Sequence, residues 1–578
     1  MDPMTGPALT ATSISAPNSS MPGLGRPIAF TYPPSTSVKQ GLACPALGSS
    51  PIDFVTTAPH PQSIMRARDG PVSSMIPDAT MPGLSRSSVP TRVFSDAMSE
   101  IKRGATIKMA NADRHAIDRR VLRSYYVEAH RQGMDVEGVR RDFPTIRNGK
   151  GIYLDSACQS LRPDQVIRAI TEYYEDYPAC GGRSVHSMAT RVSIEIDETR
   201  EALARFFRTK DPDCYVFTRN CTGALNTAAY GLPLKRGDVV VTTDTEHNSN
   251  HVPWLNLQET VGIRRRMSRS REDGTFDLES FHRCMDHDVK VVSVQHAGNV
   301  TGCTVPVRAV AEIAHDYGAT VIVDGAQAAP HMPVDLGRLG ADVYCLSVHK
   351  MLGPSGMGVM YGDRETLERI RPLELGGGTV GLATYDSVNL APVPDRFEAG
   401  LQDYAGIIGT KAAIEYLSRV GMDEVERWDT ALMECMCSSL EDVRGLHIVG
   451  PAEPRLRGSV FSFNIDGLGA HDIGMMLDSM AGIMIRSGMH CAHPFYVSRG
   501  IDGSARASTY LYNTFEEVDV FTDAVRHIAE TFGSRFGQGH HRRARELELA
   551  PIHRCGPRFP PIEEHGDDVA SDREGVVL

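Results

Sequence analysis

The fold is decided by the stretch Asp342-Val343-Tyr344-Cys345-Leu346-Ser347-Val348-His349-Lys350, in which a short apolar run leads into a lysine. A second run of the same kind, Ala319-Thr320-Val321-Ile322-Val323, is followed by Asp324 and then by Gly325-Ala326-Gln327. Short runs of this composition are typical of strands that are buried on both faces of a sheet. The sequence therefore predicts two buried strands that end in charges of opposite sign.

These two charges need an explanation, because an isolated buried charge costs several kcal/mol unless it is paired or its pKa moves. A pyridoxal phosphate site accounts for both of them. In such a site a lysine bonds to the cofactor aldehyde as an imine, and an aspartate keeps the pyridine nitrogen protonated so that the ring can accept electrons. Lys350 and Asp324 are the predicted pair.

Further strands are predicted around these two, at Asp213–Thr218, Asp238–Thr243 and Val289–Gln295. The stretches between them are long enough for crossover helices, so we expect an α/β fold with a mostly parallel sheet. Ligands of such sheets bind at the carboxyl ends of the strands, where Asp324 and Lys350 both fall.

The composition limits the classes of function. The chain has 578 residues, of which 41% are hydrophobic and 23% charged, as expected for a globular protein. Its net charge of −12 argues against binding to nucleic acid or to an anionic membrane. No apolar stretch reaches the ~18 residues of a membrane span, and the N-terminus lacks the features of a secretory signal. The twelve cysteines have no paired spacing, which favours reduced thiols in the cytoplasm and no metal site.

The chain divides into segments of unequal character. The predicted organisation is a low-complexity, disordered extension at 1–133 (with a helix at 99–132 as an alternative), a large cofactor-binding domain at 134–413 whose N-terminal segment contributes to the small domain, a small C-terminal α+β domain at 414–532 that carries Cys491, and a disordered polar tail at 533–578. Within the small domain, a helix is expected over Met422–Leu440 and a strand over Ser459–Ile465.

A series of motifs runs in order along the middle of the chain: Tyr153-Leu154-Asp155-Ser156-Ala157, Glu246-His247, Val323–Ala328, Ser347–Lys350, Gly353-Pro354-Ser355-Gly356, Arg396–Gly400, Arg486–Cys491 and Arg506-Ala507-Ser508. On the basis of these motifs, the segment from Val136 to Phe532 resembles the class V aminotransferase-fold enzymes. These are pyridoxal phosphate enzymes of fold-type I, with a seven-stranded sheet and a small C-terminal domain. Within that group it most resembles the group II cysteine desulfurases of the SufS type.

The resemblance implies roles for residues around the cofactor. Lys350 holds it covalently and later moves the substrate Cα proton, and Asp324 pairs with the pyridine nitrogen. Gln327 reaches the phenolic oxygen of the ring. His247, in the Glu-His motif, stacks on the ring and passes protons; an isolated histidine after a strand is otherwise a polar cap.

The expected phosphate site combines a helix start with a second loop. Thr222 and Cys221 open a predicted helix, and Ser347 and His349 close the other side. Three positions depart from the pattern of the resembled family: Cys221 replaces a threonine, Gly223 replaces a glutamate, and Leu401 replaces a threonine that reaches the phosphate of the partner subunit. Backbone donors survive these changes, so cofactor binding is expected to persist.

The type of reaction depends on Cys491, which sits in a polar loop bounded by glycine and proline. A desulfurase needs a mobile thiolate that attacks the sulfur of the substrate, and His490, His493 and Arg486, which lie close in sequence, are able to favour the charged form. A structural cysteine is the alternative. Arg506 and Asn299 are predicted to bind the substrate α-carboxylate, with a surface ion pair as the alternative for Arg506.

The resemblance implies removal of sulfur from L-cysteine to give alanine and a persulfide on Cys491. It also implies a homodimer and transfer of the sulfur to an acceptor protein for iron–sulfur cluster assembly. A selenocysteine lyase, an epimerase or a transaminase of the same fold is the alternative, and a non-catalytic scaffold is the alternative from another class.

Overall fold

A computed structural model describes residues 134–533 of the chain. The predictions for 1–133, and for the tail beyond residue 533, lie outside the described residues. No helix within 134–533 combines the length and the apolar character that crossing a membrane requires.

The secondary structure alternates between helices and strands in the first part of the described chain. The helices are α1 (Val136–Arg141), α2 (Pro144–Arg147), α3 (Asp164–Asp176), α4 (Ser187–Phe206), α5 (Cys221–Gly231), α6 (Val252–Thr260), α7 (Leu278–Arg283), α8 (Val307–Asp316), α9 (Leu336–Leu339), α10 (Arg364–Arg369), α11 (Tyr404–Val420), α12 (Met422–Leu440), α13 (Ala470–Ala481), α14 (His493–Arg499) and α15 (Phe515–Phe532). The strands are β1 (Ile152–Tyr153), β2 (Tyr215–Thr218), β3 (Val239–Thr243), β4 (Arg264–Ser268), β5 (Val289–Gln295), β6 (Thr320–Asp324), β7 (Val343–Ser347), β8 (Gly358–Gly362), β9 (Val380–Ala383), β10 (Val388–Leu390), β11 (Leu446–Val449), β12 (Val460–Ile465), β13 (Ile483–Met484), β14 (Arg486–Gly488) and β15 (Ser504–Ser508).

The central sheet has seven strands in the order β2-β8-β7-β6-β5-β3-β4. Strand β8 runs antiparallel to both of its neighbours, β2 and β7, and the other pairs are parallel. This confirms the predicted mostly parallel sheet. Every residue of β3, β6 and β7 is buried, as expected for strands that are covered on both faces.

Two hydrophobic clusters cover the two faces of this sheet. Val321 and Val323 of β6 belong to one cluster, and Ile322 between them belongs to the other, as the two-residue period of a strand requires. The first cluster includes buried residues of α4, α8 and α11, and the second includes residues of α5 and α6. Burial on both sides explains why these strands read as continuous apolar runs in the sequence.

The two charged residues, Asp324 and Lys350, lie at the same end of the central strands. Asp324 is the last residue of β6, and its neighbours in the register are Gln295 of β5 and Cys345 of β7. Strand β7 ends at Ser347, and a single 3-10 turn over Val348–Lys350 follows it. The sheet thus brings both charges to the carboxyl ends of adjacent strands.

A second, antiparallel sheet of four strands lies in the C-terminal part, in the order β11-β12-β15-β14. It packs with α12, α13 and α15 around a separate hydrophobic cluster. Helix α12 spans the predicted Met422–Leu440. Helix α11 continues across the proposed boundary at 413/414, and its buried residues belong to the cluster of the large sheet, so the position of the boundary stays a prediction.

Candidate active site

A cavity of about 210 Å³ lies at the carboxyl ends of the central strands. All of the site residues predicted from the sequence line it: Cys221, Thr222, His247, Asn299, Asp324, Gln327, Ser347, His349, Lys350, Cys491 and Arg506. They come from segments up to 285 positions apart (Cys221 to Arg506). The structure therefore brings the whole predicted set together, while the role of each residue stays a prediction.

Lys350 and Asp324 face the same buried space. Burial lowers the pKa of the Lys350 amine, and the nearby Asp324 carboxylate partly offsets this effect. The Asp324 carboxylate is held in place because its Oδ1 accepts hydrogen bonds from the backbone N–H of Ala326 at 3.0 Å and from Cys221 Sγ at 3.2 Å. A lysine with a lowered pKa supplies the neutral amine that covalent and acid–base chemistry requires.

Cys221, which departs from the resembled family, has a defined contact in this arrangement. Burial raises the pKa of its thiol, so the sulfur keeps its hydrogen and donates it to Asp324. Gly223, the second departure, has open space around it: a Cβ there would meet no atom closer than 3.8 Å. Neither departure obstructs the cavity.

The start of α5 forms one corner of the cavity. Asn220 caps this eleven-residue helix by accepting a hydrogen bond from the backbone N–H of Gly223 at 2.9 Å. Ser347 Oγ accepts from the backbone N–H of Cys221 at 2.9 Å, which ties the helix start to the end of β7. Thr222 and His349 line the same corner. A helix N-terminus with hydroxyl groups beside it suits a phosphate.

His247 is neutral and fixed in orientation. Burial, reinforced by the Lys350 charge, lowers the pKa of His247 to about 4. Its Nδ1 accepts a hydrogen bond from the backbone N–H of Ser249 at 3.1 Å, so the ring carries its hydrogen on Nε2. Ser249 Oγ in turn lies 2.6 Å from Thr222 Oγ1, which links His247 to the phosphate corner.

Glu246, next to His247, is a fully enclosed carboxyl group. Thr243 Oγ1 and the backbone N–H of Gln295 donate to its Oε1 at 2.5 and 3.1 Å, and Asn250 Nδ2 donates to its Oε2 at 2.7 Å. Burial nevertheless raises the pKa of Glu246 to about 8. The folded protein thus prefers the protonated acid.

We expect Glu246→Gln to change how stability depends on pH. A folded-state pKa near 8, above the ordinary 4.5, means that the contribution of the acid is fully present below pH 4.5 and is lost as the pH rises to about 8. Glutamine does not titrate, so the free energy of unfolding of the variant should rise relative to wild type between about pH 4.5 and pH 8 and then stay level. Urea unfolding across this range measures it. The exposed Glu279→Gln is the control, and parallel curves for Glu246→Gln and wild type would contradict the expectation.

Arg506 is a buried residue at the other side of the cavity. Its side chain is 2% exposed, which rules out the alternative of a surface ion pair. Nη1 donates to the backbone carbonyl of Asn299 at 2.9 Å and Nη2 donates to Asp155 Oδ1 at 3.2 Å. Nε has no hydrogen-bond partner among residues 134–533, and neither has Asn299 Oδ1. Buried polar atoms without partners are typical of a site that receives a polar ligand.

Cys491 is a free thiol on an exposed loop at the mouth of the cavity. His490 and Cys491 both have left-handed backbone conformations, with φ of 49° and 56°, a strained geometry that clusters at functional sites. The backbone carbonyl of Cys491 accepts a hydrogen bond from the N–H of Asn248 at 2.6 Å, which anchors the loop beside His247.

The expectation that His490 favours a charged Cys491 is wrong. Burial lowers the pKa of His490 to about 2, so its ring is neutral, and its Nε2 donates to the carbonyl of Ser504 at 3.0 Å. Arg486 remains as a cation, but it lies on β14 and its Nη1 donates to Cys158 Sγ at 2.6 Å.

Cys158 lines the cavity and Asp155 contacts a residue that does, and the sequence reasoning missed the contacts of both. Cys158 lines the cavity as a free thiol, in addition to Cys221 and Cys491, and Asp155 holds Arg506. Both lie in or directly after the Tyr153–Ala157 motif, which was the available signal. Their partners, Arg486 and Arg506, face each other across β14 and β15.

The donor set fits pyridoxal phosphate. Lys350, Asp324 and the start of α5 match the aldehyde, pyridine nitrogen and phosphate of that cofactor. Gln327 Nε2 donates one hydrogen to the carbonyl of Ala157 at 2.7 Å and keeps a second one for a ligand. No group of three or more His, Cys, Asp or Glu side chains in the described part of the chain is arranged to hold a metal ion.

Comparison with known proteins places these features in a family. The family model described as aminotransferase class-V matches residues 152–521. Among curated proteins, a probable cysteine desulfurase of Halalkalibacterium halodurans is 37% identical over 411 residues, covering 70% of this chain and 100% of that protein. A cysteine desulfurase of Haloferax volcanii is 35% identical over 419 residues, covering 69% of this chain and 98% of that protein.

Solved structures agree with the sequence comparison. The apo structure of a cysteine desulfurase from Thermococcus onnurineus superposes with a TM-score of 0.66 at 36% identity and covers 69% of this chain and 98% of its own. A cysteine desulfurase from Escherichia coli gives a TM-score of 0.64 at 30% identity and covers 68% and 98% of the two chains.

Proposed function

The chain belongs to the aminotransferase class-V family and is a cysteine desulfurase, and we propose that its cavity performs this reaction with pyridoxal phosphate held at Lys350. The observation that carries the proposal is the convergence of Lys350, Asp324, Arg506 and Cys491 on one cavity. When bound, the cofactor supplies an electron sink for the substrate Cα.

The residues around the cofactor have complementary tasks in this proposal. Lys350 would hold the cofactor covalently through its aldehyde, and Asp324, fixed by Cys221, would keep the pyridine nitrogen protonated. The remaining N–H of Gln327 is directed to the phenolic oxygen. Three further side chains take the phosphate: Thr222, Ser347 and His349.

Proton movement falls to Lys350 and His247. Because burial lowers the pKa of Lys350, a larger fraction of its amine is neutral and able to take the Cα proton of the substrate. His247, neutral with its hydrogen on Nε2, would pack against the bound cofactor, and it is able to donate that hydrogen and take it back. The backbone N–H of Asn248 donates to the carbonyl of Cys491, which keeps the loop that carries Cys491 close to His247.

The substrate carboxylate is bound by Arg506 and Asn299. Both are buried, and Arg506 retains the unpartnered Nε for a ligand. Because Nη1 and Nη2 are held by Asn299 and Asp155, the guanidinium is oriented before the substrate arrives. Prior orientation reduces the entropy that binding costs.

We expect Arg506→Lys to raise the KM for L-cysteine by about 10- to 100-fold with a smaller effect on kcat. An ammonium retains the charge but loses the planar fork that meets Asn299, Asp155 and the carboxylate together. Steady-state kinetics of alanine formation measure the change. Arg526→Lys, which alters an arginine paired with Asp442 outside the cavity, is the matched control. An unchanged KM in Arg506→Lys would remove this residue from the substrate site.

Sulfur transfer is the task of Cys491. Its thiolate attacks Sγ of L-cysteine, the Cβ–Sγ bond of the substrate breaks, and the electron pair of that bond passes to the carbon fragment, which is protonated and leaves as alanine. The sulfur remains on Cys491 as a persulfide. Because Cys491 is exposed, an acceptor protein is able to reach it, and we propose that this sulfur serves iron–sulfur cluster assembly in the cytoplasm.

A homodimer is part of the proposal. The hairpin formed by β9 and β10 carries exposed apolar side chains, Leu382, Tyr385 and Val388, and Leu401 is exposed close to it in sequence. Apolar side chains gathered on one exposed segment are typical of a protein interface, and a two-fold dimer is the commonest symmetric assembly.

Product analysis tests the proposed function. The purified protein, loaded with pyridoxal phosphate, should convert L-cysteine to equal amounts of alanine and sulfide when a reductant is present, and should stop after a single turnover of sulfur without one. Formation of pyruvate, or of D-cysteine, in place of alanine would contradict it. Comparison of L-cysteine with L-selenocysteine determines which substrate is preferred.

A further inference from the structure

A second cavity, of about 160 Å³, shares two wall residues, Ala297 and Gln327, with the active-site cavity. Its walls also include His331, from the turn after Gln327, and Asp429, from α12. None of the roles proposed above uses this cavity, although Gln327 belongs to both.

His331 and Asp429 form a buried pair in this second cavity. Their exposed fractions are 7% and 2%, and His331 Nδ1 lies 2.8 Å from Asp429 Oδ2. Thr509 Oγ1 donates to the other carboxylate oxygen at 3.1 Å. Because a carboxylate only accepts, Nδ1 carries a hydrogen, and in a ring that carries no second hydrogen Nε2 is an acceptor. This Nε2 is buried and has no partner among residues 134–533.

Gln327 presents a second unpartnered acceptor. Its Nε2 donates to the carbonyl of Ala157 at 2.7 Å, while its Oε1 is buried and has no partner within the described chain. Two acceptors that line one cavity need a donor between them, and water carries two O–H donors. A water occupies roughly 30 Å³ in the liquid, so the cavity has room for one or more.

We propose that water in this cavity links His331 to Gln327 and that His331, held by Asp429, is a positioning residue for the cofactor-binding amide. The link fixes Gln327 Oε1 on the side of the second cavity. The remaining N–H of Gln327 then points to the phenolic oxygen of the cofactor. This role of His331 rests on the proposed function, because the ligand that Gln327 meets is pyridoxal phosphate.

Two substitutions at one position separate a positioning role from a structural one. In His331→Asn the amide lies where Nδ1 was and keeps the contact with Asp429, but nothing replaces Nε2. In His331→Gln the amide reaches the position of Nε2. The measured quantity is the pH midpoint of the visible absorbance change of the cofactor-loaded protein, together with thermal unfolding of each variant.

We expect the midpoint to rise by about half a pH unit or more in His331→Asn and to stay close to wild type in His331→Gln. A phenolic oxygen that loses its donor keeps more negative charge, which favours the protonated form of the chromophore. In a Gln327→Leu background, His331→Asn should add no further shift, because the effect passes through Gln327. This second comparison also serves if His331→Asn alone unfolds.

Equal midpoints in wild type and both single variants would overturn the proposal. So would a shift in His331→Gln without one in His331→Asn, because that result assigns His331 only its bond to Asp429. A further shift from His331→Asn in the Gln327→Leu background would also overturn it. Failure of the proposed function looks different: without a cofactor site the wild-type protein itself shows no cofactor absorbance, and a different reaction changes the products formed from L-cysteine but not these midpoints.

Discussion

Replacing Cys491 by serine should lower the formation of alanine and sulfide from L-cysteine by about 10³-fold or more while leaving the absorbance of the bound cofactor unchanged. Serine has nearly the same shape, but its hydroxyl is a poor nucleophile toward sulfur and cannot hold a persulfide. Cys491 contacts the rest of the cavity through its backbone carbonyl, which bonds to Asn248, so the substitution leaves the loop anchored.

Cys158 provides the matched control: Cys158, Cys221 and Cys491 all line the cavity, and the Cys221 sulfur donates its hydrogen to Asp324. Cys158→Ser keeps a polar group beside Arg486 and should retain activity within about tenfold of wild type. Rates measured side by side for the two serine variants decide which thiol attacks. Full activity in Cys491→Ser would contradict the assignment of Cys491 as the attacking thiol. Loss of activity in Cys158→Ser, but not in Cys491→Ser, would identify Cys158 as that thiol.

Replacing Lys350 by alanine should abolish covalent attachment of the cofactor and lower the rate by about 10³-fold or more. The variant removes the amine that bonds to the aldehyde and the base that takes the Cα proton. Reduction of the loaded wild-type protein with borohydride, followed by peptide mass spectrometry, should label Lys350. The variant should carry no label at any other lysine.

Lys411→Ala is the control for this experiment. Lys411 lies on α11, pairs with Glu195 at 2.9 Å and does not line the cavity. The Lys411→Ala variant should be labelled at Lys350, as the wild-type protein is. A borohydride label at a lysine other than Lys350 in the wild-type protein would contradict the proposed site.

Much of the fold was predictable because its strands are recognisable from short stretches of sequence. Strands β3, β6 and β7 are apolar runs buried on both faces, and such runs are readable without knowledge of their partners. The ends of these strands then placed Asp324 and Lys350 at one edge of the sheet. Helix α12 was predicted from its composition over the residues at which it is observed.

Contacts between distant segments were not predictable in the same way. The pair His331–Asp429 joins residues 98 positions apart, and the bond from Cys221 to Asp324 spans 103 positions. The sequence around either residue of such a pair does not predict which distant residue it contacts. The effect of burial on charge was missed for the same reason: His490 reads as a possible cation in the sequence but is neutral once it is enclosed.

The departures from the resembled family also needed the structure. In the sequence, Cys221 stands where the resembled family has a threonine, and a thiol is a weaker hydrogen-bond donor than a hydroxyl. In the fold its sulfur lies against the carboxylate of Asp324, where a donor is useful. Leu401 is exposed and does not line this cavity.

The most direct measurement is the mass of the peptide that contains Cys491 after the loaded protein is mixed with L-cysteine in the absence of reductant. A nucleophilic thiol beside the cofactor predicts that this peptide gains the mass of one sulfur atom, that reductant removes the gain, and that one alanine appears for each sulfur bound. An unmodified Cys491 in a protein that still releases alanine and sulfide would contradict the account at its centre.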